Sequence, residues 1–357
     1  VIGAFSTAHN AVLFKRMMVK ERAKIDLLAL VLSGSVGVGL ALTGHGYWAL
    51  AWQTVCFSAA GMALRWYFSP WRPTFRFDFR PAREMFGFSA NLLLTNLFNY
   101  ANANLFSVLL GKFYNAVEVG YYTQGNKWMS MGNSAIMGMI NGVAQPVFSE
   151  ISQSRERQVQ VLRKLIRFAS FVSFPVMLGL AFVAHELIIL AVGEKWAPSV
   201  PILQLFCLWG AVGPIQLLYS QVVVAHGESG FYLRSHVFIG ILQLVVALAM
   251  LRFGVLWMVF TYVMIYVFVW MALWQWYVWK LIGLRPFDAL RDIAPYLGST
   301  LLIFAGVYFV TLPIENLWLS LVTKVALSAA LYVGLMYGLK SVILRDCIDF
   351  VLGKKRL

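Results

Sequence analysis

Ten long apolar stretches separated by short polar connections constrain this chain more than any other feature. They cover residues 26–43, 46–68, 85–110, 119–148, 165–183, 200–224, 231–251, 255–279, 294–312 and 317–339. A bilayer core about 30 Å thick takes about 20 residues of helix. Inside it every backbone N–H and C=O must be satisfied within the protein, which helices do on their own. Only 12% of residues are charged and 60% are hydrophobic, where a soluble domain carries roughly twice that charged share. The expectation is an all-α polytopic membrane protein, with a half-length apolar run ending at Phe14 and a short apolar piece at 187–192.

The net charge of +14 raises the question of nucleic acid, and its placement answers it. Counted by loop, 24 of the 29 Lys and Arg fall on alternate connections, at 15–24, 65–83, 155–167, Arg234, 280–291 and 340–356. The opposite connections hold Lys112, Lys195 and Arg252, while Lys127 and Lys324 lie within spans. That asymmetry is the signature of cytoplasmic loops, so the charge sets topology and no nucleic-acid partner is expected. The surroundings are expected to be membrane lipid. Cys56, Cys207 and Cys347 are scattered, without paired spacing or a nearby His, and read as small apolar fillers. No metal or cofactor motif is present. A membrane enzyme would want a substantial outer loop or a His/Asp/Arg group, and the five His are dispersed with short outer loops. Without an initiator Met, the chain is expected to be a fragment lacking an N-terminal part.

Residues 85–151 are apolar enough for two spans yet carry nine Asn. At about 100° per residue, Asn91, Thr95, Asn99 and Asn102 share an arc of about 80°. On the next span Asn126, Lys127, Ser130, Asn133, Ser134, Asn141 and Gln145 share about 120°. Polar groups are costly in hydrocarbon, so such stripes face a protein interior or a wet cavity. Two readings stand for the Asn residues: they line a central cavity, or they bond helix to helix. Lys127 is the candidate cation of a cavity, with snorkelling to the outer interface as its alternative. Pro146 and Pro175 are expected to bend their helices.

Short blocks at helix edges carry a resemblance. They are 44–50 (GHGYWAL), 69–73 (SPWRP), 88–91 (FSAN), 110–112 (LGK), 120–122 (GYY) and 193–196 (GEKW). In this order they resemble the Wzx-type polysaccharide and O-antigen flippases of the multidrug/oligosaccharidyl-lipid/polysaccharide exporter superfamily, near the colanic-acid type. The blocks lie within residues 1–285; the last two spans match by hydropathy alone. The resemblance implies a MATE-like two-lobe helical bundle. Residues 1–68 would be the remnant of an N-terminal lobe and 69–83 a cytoplasmic inter-lobe loop. Residues 84–282 would be a six-helix C-terminal lobe, and 283–357 two extra helices with a basic tail. It also implies flipping of undecaprenyl-pyrophosphate-linked oligosaccharide by alternating access, alongside a polysaccharide polymerase and export machinery. Lys127 would then meet the pyrophosphate, and Asn91, Asn99, Asn102, Asn126, Asn133, Asn141 and Gln145 the sugars. Family members often carry an Arg and an Asp near the positions of Ala103 and Phe106, and this chain does not, so the resemblance implies no coupling or substrate role for that pair here. A drug or cation antiporter on the same fold is the alternative, although the spans hold almost no carboxylate. A polymerase is the remaining one.

Other residues carry simpler expectations. Tyr121 and Tyr122 sit where interfacial anchors sit, with stacking on sugar rings as the other reading. Trp257, Trp270, Trp274, Trp276 and Trp279 read as lipid contacts and a belt. His185-Glu186 reads as a wet interfacial pair, with a proton-coupling site as the other reading, and the resemblance implies that Lys324, mid-span in the last helix, stands outside the two lobes. Gln216, Gln221 and Gln243 look isolated. The run 33–39 offers a small-residue packing face, and the Phe75, Phe77, Phe79 alternation a membrane-surface segment.

Overall fold

The computed structural model describes residues 2–44, 46–73, 79–150, 154–339, 341 and 343–345. The side chains of residues 2, 81, 82, 103, 105, 142, 143, 145, 146, 149 and 150 are excepted. Most of the Phe75–Phe79 alternation, Cys347 and the basic tail from 346 onward therefore lie outside the described residues. Every long element is a helix, and no strand occurs among the described residues. The chain divides into two compact units, Val1–Ala82 and Arg83–Leu357.

In the first unit a 3-10 turn at Ile2–Ser6 leads into α1 (Thr7–Lys15), then α2 (Val19–Leu42) and α3 (Tyr47–Phe68). The α2–α3 turn runs through Gly44 and Gly46, both at positive φ (82° and 51°), a conformation that costs glycine nothing. The expected small-residue face is narrower than the run 33–39. Ala29, Ser33 and Gly37, one turn apart, are buried, whereas a Cβ on Gly34 or Gly39 would meet nothing within 4 Å. A Cβ on Gly37 would come within 3.0 Å of the Gln53 side chain. His9 is buried beneath Trp66 and Trp71, with ring centroids 4.3 and 5.2 Å away.

The second unit contains α4 (Arg80–Phe113, starting just before it), α5 (Ala116–Glu150), α6 (Arg155–Phe182), a short α7 (Ala184–Val192), α8 (Ser199–Ala225) and α9 (Ser229–Ala249). Next comes one span made of α10 (Val255–Met264), a π-helical segment Ile265–Trp270 and α11 (Met271–Ile282). The hairpin α12 (Pro286–Thr311) and α13 (Leu317–Gly338) closes the order. Seven helices are long and apolar enough to cross a membrane: α2, α6, α8, α9, the α10–α11 span, α12 and α13. The chain is a multi-pass membrane protein. α3, α4 and α5, each expected as a span, are not among the seven. α4 and α5 are long helices whose polar stripes lower their hydropathy.

α5 and α8 run parallel in close contact because glycines remove the side chains between them. A Cβ on Gly125 would lie 2.9 Å from Ile202 Cγ2 and 3.0 Å from the Leu203 backbone N. On Gly213 it would lie 2.8 Å from Met137, and on Gly210 2.7 Å from Met177 of α6. Small residues allow helices in lipid to gain van der Waals contact where hydrophobic burial supplies little. Two apolar cores flank this seam. One holds Phe148, Leu162, Ile166, Tyr219 and Trp274; the other holds Phe106, Tyr122, Phe206 and Met258.

Several residues expected at the membrane surface are core residues instead. Tyr122 is buried, stacked on Phe106 at 5.0 Å and edge-on to Phe206. Tyr121 packs against Trp196. Trp274 is fully buried and Trp270 leans on His236, while Trp257, Trp276 and Trp279 are exposed as expected. The π segment adds a residue to its turn, and Tyr266 and Trp270 from that segment pack on Trp209 and His236.

A Gly125→Val variant should force α5 from α8 and lower stability by about 1–3 kcal/mol, the usual cost of overpacking. Gly138→Ala, on the same helix with nothing within 4 Å of its Cβ, should leave the melting temperature unchanged. Thermal unfolding of the purified protein in detergent measures both.

Candidate functional site: the polar face of α5

Helix α5 has two chemically opposite sides. Gly125, Met129, Ile136, Ile140 and Ala144 are buried against α6 and α8. Thr123, Lys127, Ser130, Ser134, Gly138 and Asn141 are all exposed; at about 100° per residue they lie within an arc of about 80°. Asn126 and Asn133 are half-buried at the edge of that arc. Asn115 is not part of it: its Oδ1 accepts from the Glu118 N–H at 2.9 Å, capping the first turn of α5.

Bonding along this face is sparse. Ser130 Oγ donates to Asn126 Oδ1 at 3.4 Å, and Ser134 Oγ to the Met131 carbonyl at 2.9 Å. Asn141 Oδ1 accepts from Gln221 Nε2 of α8 at 2.9 Å. The buried Asn133 Oδ1 has no partner among the described residues, and the Gln145 side chain lies outside them. Between Gln124 and Asn141 the helix has one cation and no acid. The face can therefore offer a positive charge, amides and hydroxyls together, which suits an anionic, hydroxyl-rich ligand.

The stripe on α4 differs. Asn91 Nδ2 donates to Ser229 Oγ at the start of α9 (3.2 Å), and Thr95 is fully buried, donating to the Asn91 carbonyl at 2.7 Å. Farther along, Gly240 of α9 makes room for Phe98 and for Asn102, whose Nδ2 would lie 3.3 Å from a Cβ there. Asn99 is half-buried on the same arc. Asn91 and Asn102 are thus engaged with α9, and the two stripes read as equivalent in the sequence are not alike in the fold. Phe106 is buried between Tyr122 and Tyr262.

Two buried acids elsewhere in the second unit are paired with bases. Glu186, expected to be wet, is 5% exposed. Its Oε1 accepts from Lys324 Nζ and, at 2.9 Å, from Ser320 Oγ, while His185 beside it points to the exposed side. Lys324 also lies over the Phe182 ring at 4.9 Å. At the other end of the hairpin Asp292, 4% exposed, accepts from Arg163 Nε at 2.6 Å and Arg167 Nε at 2.7 Å. Between these ionic contacts Phe171 packs on Tyr296 and Tyr332, and Phe182 stacks on Phe304. The α12–α13 hairpin is fastened to α6 and α7 at both ends and along its middle.

Comparison with known proteins fits this picture. The family described as polysaccharide biosynthesis protein matches residues 1–201. The chain belongs to that family. Among its relatives is a Bacillus subtilis protein named teichuronic acid biosynthesis protein TuaB, 26% identical over 66% of this chain and 50% of its own length. The Escherichia coli lipopolysaccharide biosynthesis protein WzxC is 24% identical over 66% and 49%. The Rhizobium meliloti succinoglycan biosynthesis transport protein ExoT is 24% identical over 56% and 40%. The chain thus spans about half the length of the curated relatives it matches. No solved structure matches it.

Removing one partner of a buried ion pair strands the other, at about 3–5 kcal/mol, whereas replacing both by apolar residues is close to neutral. Lys324→Met alone should therefore lower stability by that amount, and Glu186→Leu together with Lys324→Met should recover most of it. Denaturation of the two purified variants gives the comparison.

Proposed function

We propose that this chain is part of a flippase that carries undecaprenyl-pyrophosphate-linked oligosaccharide across the bacterial inner membrane, with α5 contributing to the transport path. The relatives' names, which speak of polysaccharide biosynthesis and transport, support the substrate class. The observation that carries the reading is the exposed face of α5. It sets Lys127 beside amides and hydroxyls on a helix whose other side is packed, and it offers no acid that would repel a pyrophosphate. A cation paired to phosphate and amides paired to sugar hydroxyls are what such a ligand requires. Its polyprenyl tail stays in lipid.

In this reading the basic loops are cytoplasmic and transport proceeds by alternating access of two helical bodies. A polysaccharide polymerase takes the product on the far side, and the protein itself does no bond chemistry. A cation or drug antiporter is the weaker reading, because the carboxylates of the spans are committed elsewhere: Glu186 to Lys324, and Asp292 to Arg163 and Arg167.

The test uses the full-length gene in a strain whose own exporter is deleted, with surface polysaccharide measured at matched protein levels. Lys127→Ala should reduce export at least about tenfold, since a hydrogen bond to a charged group is worth about 1.5–3 kcal/mol. Lys127→Arg should keep export near the parental level. Full export with both variants would remove Lys127 from the path and the reading with it.

A further inference from the structure

Gln221 lies on α8, off the polar arc of α5, and has only apolar residues one turn away on its own helix, at Leu217, Leu218, Val224 and Ala225. The fold changes its meaning. Because α5 and α8 run parallel in contact, the pairs Gly125 with Ile202, Met137 with Gly213 and Asn141 with Gln221 fall in register. The third pair is polar: Gln221 Nε2 donates to Asn141 Oδ1 at 2.9 Å. A primary amide has two N–H donors and one carbonyl acceptor. This bond uses the Asn141 oxygen and one Gln221 hydrogen. It leaves the Asn141 Nδ2 group as a donor and Gln221 Oε1 as an acceptor, with Asn141 exposed and Gln221 half-buried.

A donor and an acceptor held side by side match two neighbouring sugar hydroxyls, one accepting and the other donating. We propose that Asn141 and Gln221 form one composite site for a pair of adjacent hydroxyls on the oligosaccharide. The proposal rests on the reading that the α5 face carries the lipid-linked glycan. Fourteen residues separate Asn141 from Lys127, about 21 Å along a helix. A ligand holding both lies lengthwise on α5, its phosphate at Lys127 and a sugar well beyond the first at the amide pair. The site therefore selects for glycan length and for adjacent hydroxyls, while Lys127 grips any pyrophosphate-linked form.

An amide–amide bond between packed helices would also serve as a structural tie, and the test separates the two roles. Replacing both partners of a hydrogen bond by apolar groups of similar shape is close to neutral for stability. Full-length protein carrying Asn141→Leu with Gln221→Leu is purified, its melting temperature compared with the parent, and its binding measured to two ligands. One is polyprenyl pyrophosphate bearing a complete repeat unit; the other bears a single sugar. The parent should prefer the complete unit at least tenfold, and the double variant should bind both alike with its melting temperature unchanged. If the double variant melts early, Gln221→Met, which keeps length and bulk but lacks the acceptor, supplies the same comparison.

Retention of the parental preference in these variants would overturn the proposal. Lys127→Ala distinguishes this failure from a failure of the underlying reading. If it weakens both ligands while the preference persists in the leucine variant, only the amide site is lost. If neither Lys127→Ala nor the leucine pair alters binding, the transport reading falls as well.

Discussion

Placing an ammonium or an amide in hydrocarbon costs several kcal/mol unless water or another polar group takes its place. That constraint organises the second unit. Glycines at 125 and 213 let α5 press against α8, and Gly210 lets α8 press against α6. With its apolar side used in this way, the polar side of α5 is turned outward from the bundle. A helix carrying Lys127, Ser130, Ser134 and Asn141 on one exposed arc is stable in a membrane only if that arc meets water or a polar ligand.

The same constraint explains what happens to the other intramembrane charges. Glu186 and Lys324 neutralise each other beneath the surface, with Ser320 adding a hydroxyl. Asp292 is held by two arginines. Each acid lies on a different helix from its base, so satisfying the charges also fastens the α12–α13 hairpin to α6 and α7. Of these charges within its helices, the chain pairs Glu186, Lys324 and Asp292 where they tie helices together and leaves Lys127 exposed on α5.

Much of this was legible in the sequence, because apolar length and helical period are local properties. The long helices, seven of which are long and apolar enough to cross a membrane, and the polar arc of α5 follow from them directly. What was not legible depends on which helices meet. The α4 arc looks like the α5 arc until Ser229 and Gly240 of α9 are placed against it. Tyr122 sits where an interfacial anchor would, yet Phe106 and Phe206 close over it. Glu186 and Lys324 are 138 residues apart, and nothing local in either segment reveals the other. Gln221 has only apolar residues one turn away on its own helix, and its amide partner comes from the parallel register of α5 and α8.

The central claim, that the polar arc of α5 is water-lined in the working protein, is tested most directly by cysteine accessibility. Single cysteines at 130, 134 and 138, on the arc, and at 131, 135 and 139, on its apolar exposed flank, are placed in a full-length protein without native cysteines. Each is treated in membranes with a charged thiol reagent that does not enter lipid. The account predicts labelling at 130, 134 and 138 and protection at 131, 135 and 139, a pattern with the helical period. Labelling of the apolar flank with the arc protected would contradict it.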